Sequence, residues 1–189
     1  QMIRCKWASA TPDYFDYHDY EWGVPVHDDY KHFEHLLLDG FQAGLSWLTI
    51  LRKRENFRMA FDNFDFEKIA AYGEDKIAEL LQDAGIIRNK LKVNAAVKNA
   101  QHFIKIREEF GSFDKYIWGF VGGKTLVNHF KSHDELPAKT SLSDRVSKDL
   151  KKRGFSFVGS TIIYAYMQAA GLVNDHTTDC FRHCQLAHL

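Results

Sequence analysis

A chain of 189 residues, 45% of them hydrophobic, can bury a full core, either as one domain spanning 1–189 or as two helical lobes flanking a cleft. Its 25 basic and 25 acidic residues balance, which argues against a protein working only through non-specific attraction to phosphate; any nucleic-acid surface must be local. No apolar run reaches membrane-span length, the first residues lack a secretory apolar core, and three cysteines are too few for a disulfide framework, so a cytoplasmic protein without membrane contact is expected.

The first quarter is crowded with aromatic residues: Trp7, Tyr14, Phe15, Tyr17, Tyr20 and Trp22. Several must fill the core, but Tyr and Trp beside a carboxylate also suit a flat, positively charged ring, stacking on its faces and hydrogen bonding at its edge. Asp28 can cap a helix whose apolar residues recur at Tyr30, Phe33, Leu36 and Leu37. The stretch DGFQAGLSW at 39–47 follows. It places an acid, Asp39, and an indole, Trp47, at the two ends of a turn broken by Gly40 and Gly44.

Helical spacing continues through Leu45, Leu48 and Leu51, through Ile77, Leu80 and Leu81 beyond the candidate cap Asp65, and through Val93, Ala96 and Val97. Period-two alternation is scarce, so the expected fold is all-α with about eight helices. The segment from Gly122 to Pro137 is the most loop-like and reads as a bridge between lobes. Ser141 with Asp144 resembles a capping box, and Gly154 and Gly171 can close helices.

Two late stretches carry chemistry. In LKKRGFSFVGST at 150–161, the basic helix end with Lys152 and Arg153 runs into a glycine-bounded turn, and a new helix starts near Gly159, Ser160 and Thr161. Free N–H groups at that start suit a DNA phosphate; an ordinary helix–turn–helix link with a solvated basic face is the simpler account of such a segment taken alone. In NDHTTDC at 174–180, three residues separate His176 from Cys180, and Cys5 and His18 stand near the other end. Two sulfurs and two imidazoles are what a tetrahedral structural zinc accepts, with no position left for a catalytic water. By residue type alone, buried thiols and ordinary histidines explain them as well, and Cys184, His183 and His188 are spare candidates.

Four blocks, YHDYEWGVP at 17–25, AGLSWLTILRKRENF at 43–57, DAGIIRNKLKVNAAVKNA at 83–100 and SKDLKKRGFSFVGSTIIYAYMQAAGLVNDH at 147–176, closely resemble the bacterial DNA-3-methyladenine glycosylase I family. The likeness runs in unchanged order from Cys5 to about Cys180. It implies an all-helical relative of the helix-hairpin-helix DNA glycosylases, with one Zn2+ on Cys5, His18, His176 and Cys180 joining the N- and C-terminal segments.

The resemblance also implies a mechanism. Methylation at N3 makes adenine a cationic leaving group, so the harder task is to flip the base from the duplex and recognise it. Trp47 would stack on the extruded base, Tyr14 and Tyr17 would line its pocket with Trp7 nearby, and the acid at 39 would accept hydrogen bonds from the base edge. Gln42, Gly44 and Leu45 would press into the gap left in the duplex. Residue 39 is usually glutamate in the family, and the aspartate here is one methylene shorter. Bifunctional relatives carry a Schiff-base lysine just after the second hairpin glycine; Ser160 and Thr161 stand there instead, which implies hydrolysis without strand cleavage. Asp175 lies roughly where other relatives carry a catalytic aspartate, and equally beside a candidate metal histidine. The expected protein is a monomeric enzyme acting on double-stranded DNA that contains 3-methyladenine. Its rivals are a zinc-stapled nucleic-acid-binding module without glycosylase activity and a zinc hydrolase, the latter needing an open coordination position.

Overall fold

The computed structural model describes residues 2–189. Asp28 starts α2 (Asp29–Gln42) by accepting a hydrogen bond from the Lys31 amide at 3.0 Å, and the helix buries Phe33, Leu36, Leu37, Leu38 and Phe41. Tyr30 shares their spacing yet stays 42% exposed, with its hydroxyl donating to Glu67. Before α2 lie two short 3-10 turns, Lys6–Ala10 and Pro12–Tyr14, and α1 (Phe15–Tyr20).

The break after α2 comes later than expected. Gly40 is helical, and a Cβ there would meet Phe157 at an ordinary 3.6 Å. Gly44 alone takes the left-handed backbone, φ +79°, in the link 43–46 that leads to α3 (Trp47–Ala60). Asp39 therefore sits in the last turn of one helix and Trp47 at the first position of the next, where Ser46 Oγ accepts from the Thr49 amide.

Left-handed backbone at Asp62, Asn63 and Phe64 separates α3 from α4 (Phe66–Ala70), which Asp65 caps through the Glu67 and Lys68 amides. After α5 (Glu74–Leu80) comes α6 (Lys90–Phe110), whose 21 residues bury Val93, Ala96, Val97, Ala100 and Phe103. It is followed by α7 (Phe113–Gly119), α8 (Ser141–Lys152), α9 (Ser160–Ala169) and α10 (Phe181–Ala187). Ten α-helices among the described residues stand against about eight expected, and α1, α7 and α10, with six or seven residues each, are too short for a 3.6-residue period to register.

Two local expectations are corrected. The capping box at α8 joins Thr140 and Ser143, not Ser141 and Asp144: Thr140 Oγ1 accepts from the Ser143 amide, and Ser143 Oγ accepts from the Thr140 amide. The all-α reading is interrupted by a parallel two-residue ladder in which β1 (Leu126–Val127) pairs Leu126 with Val173 and Val127 with Asn174 of β2 (Val173–Asn174). The loop-like segment is thus pinned rather than loose, because the Thr178 amide also donates to Phe130 O and the Asn128 amide to Asn174 O.

Most apolar side chains share one cluster built on α2, α6, α7 and α9. A second cluster joins Cys5, Tyr17, Trp22, Ala169 and Cys180, and Trp47 packs against both. Gly171, φ +75°, admits no side chain: a Cβ would fall 2.5 Å from the Pro25 nitrogen, so the chain leaving α9 runs directly against the segment after α1.

Candidate base-binding cavity and metal cluster

Cys5, His18, His176 and Cys180 are buried together, with their ligand atoms all within 4.8 Å of one another. His176 Nδ1 lies 3.4 Å from the sulfur of Cys5 and 3.4 Å from that of Cys180, and His18 Nε2 lies 3.5 Å from Cys180 Sγ. Each imidazole has its other nitrogen engaged: His18 Nδ1 with Asp19 at 2.8 Å, and His176 Nε2 with the Trp22 carbonyl at 2.8 Å. That outer bonding orients the remaining ring nitrogens toward the sulfurs, as metal-ligating histidines require. Contact with Cys180 pushes the Cys5 thiol up, and contact with Cys5, His176 and His18 pulls the Cys180 thiol down. Two buried sulfurs and two imidazole nitrogens converging on one point are the soft donors of a tetrahedral site, so the donor set fits a metal ion. The spare candidates lie apart: Cys184 and His188 are exposed, and His183 Nε2 bonds the Asn128 carbonyl.

Beside this cluster opens a cavity of about 400 Å³ walled by Trp7, Tyr14, Tyr17, Trp22, Asp39, Gln42, Trp47 and Gln168. In its aromatic wall Trp7 meets Tyr14 and Trp22 edge to face, with ring centroids 5.3 and 5.0 Å apart, and Tyr17 lies tilted against Trp47 at 5.3 Å. Three buried polar atoms of its lining have no hydrogen-bond partner: Asp39 Oδ2, Trp7 Nε1 and Trp47 Nε1. Burial pushes the Asp39 carboxyl well above the usual carboxylate range. Burial, and then the nearby Asp39 charge, likewise pushes the Tyr17 hydroxyl up. Buried polar atoms are rarely left unmatched. One acceptor and two donors set among aromatic faces suit a flat heterocycle with polar edges.

A second depression, about 360 Å³, shares Asp39 and Gln42 with the first and continues over Gly44, Leu45 and Thr161. Leu45 is 41% exposed at its edge. Opposite, Gly159 begins α9 without a side-chain cap, leaving the first amides of that helix to an outside acceptor. Ser147 Oγ donates to the Val158 carbonyl at 2.6 Å and Ser160 Oγ lies 2.8 Å from Ser143 Oγ, which braces the turn between α8 and α9. Ser160 is therefore engaged within the protein, whereas Thr161 is exposed.

Two expected site residues sit elsewhere. Arg153 is turned back, pairing with Asp149 and Glu109 at 2.8 Å each and lying over the rings of Phe110 and Tyr116, while Lys152 is exposed. Asp175 is buried and does not line the cavity. Its oxygens accept from Asn128 Nδ2, the Tyr164 hydroxyl and Gln168 Nε2, which engages both of them within the protein, away from the cavity. Conversely, Trp22, Gln168 and the wall formed by His133, Leu136, Pro137 and Ala138 reach the cavity without any sequence signal beyond residue type.

The family model described as Methyladenine glycosylase matches residues 7–183. The chain is 49% identical over 179 residues to DNA-3-methyladenine glycosylase 1 of Escherichia coli (strain K12), covering 95% of this chain and 96% of the relative. It is 46% identical over 177 residues to DNA-3-methyladenine glycosylase of Haemophilus influenzae, covering 94% and 96%. A crystal structure of a variant 3-methyladenine DNA glycosylase I in complex with 3-methyladenine superposes with a TM-score of 0.92 at 36% identity, covering 95% of this chain and 97% of that one. On these matches, made over nearly its whole length, the chain belongs to the methyladenine glycosylase family.

Proposed function

We propose that the aromatic cavity receives 3-methyladenine swung out of a DNA duplex and that Asp39 reads its polar edge. The enzyme hydrolyses the N-glycosidic bond of that nucleotide and releases the free base. The observation that carries the assignment of the cavity is the unpartnered Asp39 Oδ2 among Tyr14, Tyr17 and Trp47. A carboxylate held short of acceptor duty by burial regains its charge most readily beside a cationic base, and N3-methylated adenine in DNA is cationic. A neutral adenine brings no such compensation. Trp47 stacks on the ring, Tyr14 and Tyr17 flank it, and the shorter acid reaches the exocyclic amino group directly or through one water.

Around that cavity the chain works as a single monomeric domain of helix-hairpin-helix type. The turn with Gln42, Gly44 and Leu45 fills the space vacated in the duplex, and the open start of α9 at Gly159, with Thr161 and the exposed Lys152, binds backbone phosphate. The cluster of Cys5, His18, His176 and Cys180 holds one structural Zn2+. Four protein ligands leave no position for a metal-bound water, which disfavours a zinc hydrolase. No lysine stands at Ser160 or Thr161, so the bond is cleaved by water without a Schiff base.

Incubation with alkylated DNA should release free 3-methyladenine, and Trp47→Ala should abolish most of that release while leaving duplex binding intact. Duplex binding without any release would leave a nucleic-acid-binding module in place of the enzyme.

A further inference from the structure

Gln168, on the last full turn of α9, borders the cavity opposite the helix that carries Asp39. Its Nε2 donates to Asp175 Oδ2 at 3.0 Å. The same carboxylate takes the Tyr164 hydroxyl at 2.5 Å and Asn128 Nδ2 at 2.7 Å, so its surroundings consist of donors and it serves as an acceptor. An amide facing a carboxylate must present NH2 to it, which turns the Gln168 carbonyl oxygen the other way. That oxygen has no partner among the described residues, and the half-buried side chain faces the cavity.

We propose that Asp175 is a positioning residue that locks the Gln168 amide, and that Gln168 Oε1 is a second acceptor for the base edge, selecting purines that carry an exocyclic 6-amino group over 6-oxo purines. The inference rests on the cavity being the base site. An amino group offers two N–H donors, one for Asp39 and one for Gln168. A 6-oxo purine such as 3-methylguanine sets its own acceptor against both, leaving desolvated lone pairs unmatched. Selection then comes from fixed acceptor direction, which a freely turning amide would lose by offering its NH2 to the oxo group.

The test compares Gln168→Met, Asp175→Asn and the double variant, measuring affinity for free 3-methyladenine and the ratio of 3-methyladenine to 3-methylguanine released from methylated DNA. Gln168→Met keeps length and removes both polar atoms. It should weaken free-base binding roughly tenfold, the scale of one buried hydrogen bond, and narrow the release ratio, with melting temperature and metal content unchanged. Asp175→Asn should narrow the ratio in the wild-type background and leave it unchanged in the Gln168→Met background. An unaltered ratio and affinity in Gln168→Met would overturn the proposal by themselves, even if Asp175→Asn fails to fold. A ratio that Asp175→Asn shifts equally in both backgrounds would overturn the positioning role. Trp47→Ala separates the two levels: loss of free-base binding there with a normal Gln168→Met rejects the second acceptor alone, whereas normal binding in Trp47→Ala rejects the cavity as the base site.

Discussion

Lys92 reaches from α6 to place its Nζ 2.6 Å from the backbone carbonyl of Ala43, and 2.9 Å from that of Phe41. The last carbonyls of a helix lack internal partners, and a cation there also meets the negative end of the helix dipole. Burial lowers the Lys92 pKa. The bonds tie down the link that presents Gln42, Gly44 and Leu45. Lys92→Met should destabilise the protein by about 1.5–3 kcal/mol, the range for hydrogen bonds to a charged group. It should also slow excision from duplex DNA more than it weakens binding of the free base. Chemical denaturation, excision kinetics and free-base titration check this; equal loss of excision and free-base affinity would place its effect in the cavity instead.

Asp39 trades stability for recognition. Its folded pKa is raised above the unfolded value by burial, so the folded state is favoured in acid and loses stability as pH rises through the folded pKa. Asp39→Asn removes that loss. It should melt higher than wild type at neutral pH, with the difference shrinking toward acid, while free 3-methyladenine binds more weakly and release falls. A lower melting temperature at neutral pH, or wild-type base binding, contradicts this.

Asp39→Glu tests the shorter side chain. Added reach should maintain or improve base binding if the carboxylate acts on the base edge directly. Titration of intrinsic tryptophan fluorescence with 3-methyladenine would read it, since Trp7, Trp22 and Trp47 line the cavity.

The metal cluster predicts about one equivalent of zinc in purified protein. Cys180→Ala should lose the metal and lower thermal stability, because a metal bound only by the folded chain stabilises that state. Metal-free protein of unchanged stability would refute the assignment.

Lys152 and Arg153 should now separate. Lys152→Ala should weaken damaged and undamaged duplexes alike and reduce the salt slope by roughly one. Arg153→Ala should instead act through the folded state, since its guanidinium already serves Asp149 and Glu109. Salt-dependent binding isotherms distinguish the two.

How far the sequence could be read follows from the range of the interactions involved. Asp28 and Asp65 cap helices through amides two or three residues away, and such local bonds are visible as spacing. The meeting of Trp7, Tyr14, Tyr17, Asp39 and Trp47 in one cavity followed from family likeness rather than periodicity, since no local rule brings residue 7 to residue 47. Arg153 looked free because its partner Glu109 is 44 positions away, and only the i,i+4 neighbour Asp149 could have warned of it. Gln168 was silent for a related reason: its orientation depends on Asp175, across a turn beyond the helix end. Short helices and the β1–β2 ladder fell below the window in which a hydrophobic period can be counted.

The joining of Cys5 to His176 and of His18 to Cys180 spans 171 and 162 positions. At translation rates of about 5–20 residues per second, this separation takes roughly 10–30 s to synthesise. Throughout that interval the segment bearing Trp7, Tyr14 and Tyr17 has no C-terminal anchor, and the aromatic wall of the cavity cannot be set. A nascent chain therefore acquires α2 to α7 well before the cluster can close. The aromatic wall beside the cluster is thus among the last parts of the fold to be fixed.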